Sequence, residues 1–84
     1  MYYLSEELFY KNIGEELMIF DKENKETYLL DEVGKDIFYA LDKHTFDEVI
    51  DSLLTLYNTQ REEIVDDVKE IISQLNIRGF IRED

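Results

Sequence analysis

The sequence predicts an α+β fold, winged-helix-like, in which a three-stranded antiparallel sheet is followed by three helices (βββααα). Two observations predict it: apolar and polar side chains alternate in the manner of strands over the first 30 residues, and from Asp31 onward the apolar residues recur at helical spacing. The 84 residues contain no proline, no serine- or glycine-rich stretch and no internal repeat. We therefore expect residues 1–84 to form one domain.

Three segments rich in aromatic and branched residues are the predicted strands: Glu7–Asn12, Glu16–Asp21 and Glu26–Leu30. Gly14 interrupts the pattern between the first two strands, and the polar run DKENK (residues 21–25) separates the second strand from the third. Because such short connections join antiparallel neighbours, the prediction is a meander of three strands.

Three helices are predicted from their start and stop signals. Asp31 is a suitable N-cap for the first helix, and Thr45 with Glu48 three residues later forms the capping box of the second. The third helix is expected to run from about Gln60 to Asn76, with Gly79 ending it before a short extended tail.

The third helix carries a broader apolar stripe than a small core requires. An inner seam consists of Ile64, Val68, Ile71 and Leu75, and Val65 and Ile72 extend the apolar surface to one side. Two interpretations remain open: the helix lies deep in the fold, or this flank lines a groove. If the flank lines a groove, Glu at Val65 or Ile72 weakens ligand binding, whereas Glu at Val68 or Ile71 destabilises the fold.

Charge and composition exclude several classes of function. The chain has 21 acidic and nine basic side chains, a formal net charge of −12 and no cysteine. Its negative field repels phosphate backbones and anionic lipids, and the lack of thiols excludes disulfides and thiolate metal sites. The N-terminus lacks the positive charge of a signal peptide, and no apolar run approaches the roughly 20 residues of a membrane span. We expect a cytoplasmic protein with no membrane partner.

Catalytic side chains are scarce. The single histidine, His44, lies in a predicted turn. The predicted elements do not place a histidine beside Ser52 or Ser73. The many carboxylates include no pair that stands out in an apolar setting, which acid–base catalysis would need. We expect no enzyme activity and no cofactor.

Two short motifs resemble known sites but lack features that those sites require. DKENKETYLLDE (residues 21–32) has the length of a calcium loop, but Lys25 occupies its fifth position and Glu26 replaces the required glycine. DSL (residues 51–53) resembles the attachment motif of acyl carrier proteins, but Ser52 lies in the middle of a predicted helix. Neither a metal site nor a prosthetic group is expected.

A winged-helix-like fold also suggests DNA binding, but the charge of the third helix argues against it. The segment from residue 61 to residue 77 contains Arg61 and Lys69 against five acidic side chains. A recognition helix brings basic side chains to phosphates and base edges, so this helix would be repelled by a duplex. Nucleic acid is not an expected partner.

The order and spacing of several residues carry a resemblance to a known family. They read Tyr28-x-Leu30-Asp31-x-x-Gly34-x-x-Ile37-Phe38, then Leu41-Asp42, Thr45, Glu48-Val49-Ile50, Leu53, Tyr57, Asp67-Val68, Leu75 and Gly79-Phe80-Ile81. This pattern resembles PqqD-like proteins, the recognition elements of pathways for ribosomally synthesised and post-translationally modified peptides (RiPPs), including the stand-alone leader-binding proteins of lasso-peptide biosynthesis. The family often has Asn where this chain has Asp31, and both residues cap helices.

The resemblance implies a fold and a function. It implies that the third strand is a free edge to which the leader of a precursor peptide adds as a further strand, and that the protein presents this peptide to a modifying enzyme or a leader peptidase. The implied peptide-binding residues are Glu26, Thr27, Tyr28, Leu29 and Leu30 on the strand and Glu62, Val65, Asp66, Lys69 and Ile72 on the third helix. Tyr28 and Leu30 are expected to point inward.

One alternative of a different class remains open. The acidic helices of a small regulatory or carrier module could dock a basic protein partner. A titration with a precursor leader peptide separates this alternative from leader binding.

Overall fold

The computed structural model describes residues 1–84 as five strands and three helices. The elements are β1 (Tyr2–Leu4), β2 (Phe9–Ile13), β3 (Glu16–Asp21), β4 (Glu26–Leu30), α1 (Glu32–Leu41), α2 (Phe46–Leu56), α3 (Arg61–Ile77) and β5 (Ile81–Glu83). Strands β2, β3 and β4 form a three-stranded antiparallel sheet, and β1 and β5 form a second sheet of two strands. The α+β class is confirmed, but the predicted order βββααα is incomplete, because a strand precedes the meander and another follows the helices.

The second sheet brings the first and last residues of the chain together. Tyr2 lies opposite Glu83 and Leu4 lies opposite Ile81. The amino group of Met1 donates a hydrogen bond of 2.9 Å to the carbonyl of Asp84, whose own N–H donates back to the carbonyl of Met1. Three-residue strands show no periodicity of their own, which is why sequence patterns missed this pairing.

The three predicted strands of the meander are present. The first is Phe9–Ile13 rather than Glu7–Asn12, and Gly14 takes a positive φ of 61° in the turn that follows it. Asp21, at the end of β3, is buried and caps the turn to β4: its carboxylate accepts hydrogen bonds from the N–H groups of Glu23 and Asn24 and from the Asn24 side chain. The hydrogen bond from the Asn24 side chain is the main reason that the pKa of Asp21 is lowered. The first residue of the calcium-like segment is therefore a turn cap.

The predicted helix caps are also present. The side chain of Asp31 accepts a 2.8 Å hydrogen bond from the N–H of Gly34, and Thr45 and Glu48 form the reciprocal bonds of a capping box. At the end of α3, Gly79 has a φ of 75°, and the N–H of Phe80 donates to the carbonyl of Leu75 at 2.9 Å. This is a Schellman motif, which turns the chain sharply from α3 into β5.

The core lies between the inner face of the meander and the three helices. Its largest fully buried members are Leu17, Ile19, Ile37, Phe38, Leu41, Val49, Ile50, Leu53, Val68 and Leu75. The strands contribute alternate residues to this core, as their period of two requires. None of the three helices is long and apolar enough to span a lipid bilayer. The likeness to a winged helix stays a prediction.

Candidate functional site

β4 is an edge strand whose unpaired side is open. The strand order is β2-β3-β4, and β4 pairs with β3 alone, from Leu17 opposite Leu30 to Asp21 opposite Glu26. In an antiparallel edge strand, every second residue directs its N–H and C=O away from the sheet, where no ladder partner meets them. The main chain of Glu26–Leu30 therefore offers a row of free donors and acceptors.

A groove runs along this free edge, between β4 and α3. One part has a volume of about 450 Å³ and is lined by Glu16, Tyr28, Leu29, Leu30, Asp31, Val33, Gly34, Ile37, Asp67, Glu70, Ile71 and Gln74. A second part of about 500 Å³ is lined by Asn24, Tyr28, Gln74, Ile77 and Arg78. Tyr28 and Gln74 line both parts, so the two parts lie side by side along β4, and together they are here called the β4–α3 groove.

The floor of the groove is apolar and tightly built. Leu30 and Ile37 are buried, and α1 lies so close to β4 that a Cβ on Gly34 would come within 3.1 Å of Cδ2 of Leu30. A Cβ at Gly34 would force the side chain of Leu30 or the capping carboxylate of Asp31 to shift. The short junction through Asp31 thus fixes the edge of β4 against α1, and little ordering is left for the moment of binding.

Tyr28 occupies the middle of the groove. It is half-buried, and its hydroxyl donates a hydrogen bond to Oε1 of Gln74 on α3. The guanidinium of Arg78 stacks over its ring at 4.3 Å from the centroid and also forms an ion pair of 3.6 Å with Glu26. These contacts connect the strand to the far wall and separate one end of the groove from the other.

The strand residues are oriented as the sequence analysis expected. Leu30 is buried and Tyr28 half-buried on the inner face, while Glu26, Thr27 and Leu29 are exposed. Of the five predicted strand residues, Tyr28, Leu29 and Leu30 line the groove. Glu26 meets it through its ion pair with Arg78.

The wall on α3 comes from a face of the helix that was not predicted. It consists of Asp67, Glu70, Ile71 and Gln74, which share one face because they are spaced i, i+3, i+4 and i+7. Glu62, Val65, Asp66, Lys69 and Ile72 do not line the groove. Since each residue turns an α-helix by about 100°, Ile72 and Val65 point well away from Ile71, and both pack against the core half-buried.

Val65 and Ile72 pack against the core, as the first of the two interpretations of the broad stripe requires. The signal that could have found the groove wall was a mixed stripe, in which Ile71 stands among Asp67, Glu70 and Gln74. That pattern resembles an ordinary solvated face, and only the position of β4 shows otherwise. Peptide contacts of Glu62, Val65, Asp66, Lys69 and Ile72 stay a prediction.

The groups gathered here are those of recognition: free main-chain donors and acceptors, an apolar floor and a charged rim. His44 lies exposed in the turn between α1 and α2 and does not line the groove. No group of three or more acidic or histidine side chains is arranged to hold a metal ion.

The fold and the groove define a small α+β domain with a free strand edge facing a helix. A family model described as "Coenzyme PQQ synthesis protein D (PqqD)" matches residues 16–81, which include β3, β4 and all three helices. The chain belongs to the PqqD family. The resemblance noted in the sequence is thereby confirmed.

The fold also matches that of a solved structure. The structure "TbiB1 in Complex with the TbiA(beta) Leader Peptide" superposes with a TM-score of 0.83 over 98% of this chain and 96% of that chain, at 18% sequence identity. At this identity the match shows a shared fold. No curated protein matches the chain.

Proposed function

We propose that this protein is a RiPP recognition element, which binds the leader region of a ribosomally synthesised precursor peptide by strand addition to β4. The observation that carries the proposal is the unpaired edge of Glu26–Leu30, open along a groove. Membership of the PqqD family and the fold shared with TbiB1, whose structure holds a leader peptide, support it.

Strand addition suits the chemistry of this groove. A peptide in the groove would exchange main-chain hydrogen bonds with β4, each worth about 0.5–1.5 kcal/mol net. Its inward side chains would cover the apolar floor at Val33 and Ile71. Because α1 already holds β4 in place, most of the ordering cost falls on the peptide.

The protein would act by presentation rather than by catalysis. No histidine, serine, threonine or lysine lines the groove. A peptide bound through its leader leaves the rest of its chain free for a second protein. We propose that this second protein is a modifying enzyme or leader peptidase of the same pathway.

A titration tests the proposed function. The probes are synthetic leader segments from the short open reading frames beside this protein's gene, with a scrambled version of each as control. We expect a nanomolar-to-micromolar Kd and amide chemical-shift changes along Glu26–Leu30 and around Ile71. Absence of binding by every such peptide would overturn the proposal, and shifts confined to the exposed acidic face at Glu62 and Asp66 would favour the acidic docking module instead.

A further inference from the structure

The Leu30 end of the β4–α3 groove has an acidic rim. Carboxylates reach it from three directions: Glu16 from β3, Asp31 from the strand-to-helix junction, and Asp67 and Glu70 from α3. No lysine, arginine or histidine lines this part of the groove.

These four carboxylates have no cationic partner in the protein. The four ion pairs of the chain are Arg61 with Asp47, Arg61 with Asp51, Arg78 with Glu26, and Arg82 with Asp84. Asp31 accepts a hydrogen bond from the N–H of Gly34, and Glu70 lies 3.5 Å from the amide nitrogen of Gln74, but neither contact supplies a full positive charge. Like charges that line one groove raise each other's energy, and a ligand cation relieves this.

The floor beneath the rim is apolar. Val33 and Ile37 from α1, Leu30 from β4 and Ile71 from α3 line the same part of the groove. A lysine or arginine side chain matches this combination, because its aliphatic stem covers apolar surface while its charged head remains at the wet rim. An acidic side chain would be repelled by the carboxylates of the rim, and a short polar side chain would leave the apolar floor uncovered.

The opposite end of the groove has a different charge. Beyond Tyr28 and Gln74 it is lined by Asn24, Ile77 and Arg78, and the one charge among these residues, on Arg78, is paired with Glu26. Among the residues that line the groove, carboxylates without an ion-pair partner therefore lie only at the Leu30 end. A basic residue of a bound peptide would meet these carboxylates at the Leu30 end and would meet none at the Arg78 end.

We propose that the Leu30 end of the groove is a subsite for one lysine or arginine of the bound peptide, held by Asp67 and Glu70 with Glu16 and Asp31 nearby. This inference rests on the proposed function and names the class of peptide that the groove selects. The basic residue sits beside the strand-added segment and sets its register, because a slip would move it away from the carboxylates.

A selection with random peptides tests the subsite without knowledge of the natural leader. The full chain is immobilised and challenged, at 150 mM NaCl, with displayed random nine-residue peptides between neutral glycine–serine flanks. We expect the enriched peptides to carry Lys or Arg at one fixed position relative to an apolar anchor, and not throughout. Because a chain of net charge −12 attracts basic peptides in general, a fixed position is the informative result.

Matched variants give the quantitative test. One enriched peptide is made with its lysine and again with the uncharged isostere norleucine, and both are titrated into three proteins. We expect the lysine peptide to bind about 5–30 times more tightly than the norleucine peptide to the wild type, equivalent to about 1–2 kcal/mol, and also to the control Glu6→Gln/Glu7→Gln, whose two side chains are exposed and lie outside the groove. In Asp67→Asn/Glu70→Gln, which has the same net charge as the control, this preference should fall below about threefold.

The outcomes separate the subsite from the function on which it rests. If peptides are enriched but basic residues are absent or scattered, or if the two double variants behave alike, the subsite proposal is overturned and strand addition stands. If the wild type enriches no peptide, strand addition itself is contradicted. Circular dichroism of both variants checks that each is folded before its titration is interpreted.

Discussion

Tyr57 shows how single polar side chains fix the helices that support the groove. It follows α2, and its hydroxyl donates a hydrogen bond to Oδ2 of Asp36 on α1. This hydrogen bond, with smaller contributions from burial and neighbouring carboxylates, raises the pKa of Tyr57 to about 12. Since α1 carries the floor of the groove, this contact joins the site to the rest of the helical layer.

The raised pKa predicts a loss of stability in alkali. An unfolded tyrosine has a pKa of about 10, so the contact stabilises the fold fully below pH 10 and is lost as the pH rises toward 12. We expect the free energy of unfolding of the wild type to fall more steeply between pH 10 and pH 12 than that of Tyr57→Phe. At pH 8, Tyr57→Phe should be about 0.5–1.5 kcal/mol less stable than the wild type.

Urea unfolding followed by circular dichroism at pH 8, 10, 11 and 12 measures the difference in stability at pH 8 and the change in the free energy of unfolding with pH. The two proteins differ only in the hydroxyl of residue 57, so the difference between their pH profiles isolates the contribution of Tyr57. Parallel pH profiles for wild type and Tyr57→Phe would show that Asp36 does not hold the hydroxyl in solution.

Side chains with local partners were the most predictable part of the molecule. Asp31 and Thr45 cap helices through groups only three residues away, so the sequence alone identifies their roles. The contact between Tyr57 and Asp36, and the one between Tyr28 and Gln74, join residues 21 and 46 positions apart. No spacing rule indicates such partners, because they depend on how whole helices pack.

Among the elements, α3 packs against the core with one face and forms the wall of the groove with another. Val68 and Leu75 are fully buried, and Val65 and Ile72 extend that packing half-buried. Asp67, Glu70, Ile71 and Gln74 form the wall of the groove. Periodicity predicted the helix and three buried residues of its inner seam, but it also assigned Ile71 to that seam, whereas Ile71 is half-buried and lines the groove. It could not tell which flank faces β4, because that depends on the placement of the sheet.

Ile71 and Ile72 offer a matched pair for these two faces. They are neighbours of the same residue type, and both are half-buried, but only Ile71 lines the groove. We expect Ile71→Ala and Ile72→Ala each to destabilise the fold by about 1–3 kcal/mol. Leader-peptide binding should weaken by about 1–2 kcal/mol in Ile71→Ala and stay unchanged in Ile72→Ala.

Thermal melts measure the stability of the two variants. Peptide titrations, at a temperature where both variants are folded, then compare their affinities for the leader peptide. If Ile72→Ala lost more affinity than Ile71→Ala, the peptide would contact the flank of Val65 and Ile72, as the family resemblance implies. Equal losses would mean that the variants act through stability alone.

At the scale of the whole molecule, the fold leaves one strand edge beside a helix and supports it from behind. The spacing of apolar residues and the helix caps predicted the three strands of the meander and the three helices. The family resemblance indicated that the third of these strands has a free edge. The pairing of β1 with β5 did not follow, since Tyr2–Leu4 and Ile81–Glu83 are short and lie at opposite ends of the chain. The face of α3 that forms the wall of the groove was missed for a related reason, because it is set by the packing of α3 beside β4, a strand distant from it in sequence.

The central claim, that a peptide adds to β4 as a further strand, is tested most directly by residue-resolved amide hydrogen exchange with and without a bound leader peptide. The sheet contains its own control, because β2 is its other edge. The account predicts that bound peptide slows exchange at every second amide of Glu26–Leu30, since those N–H groups gain a ladder partner, while Phe9–Ile13 remains unchanged. Protection of β2 instead, or binding without alternating protection of β4, would contradict it.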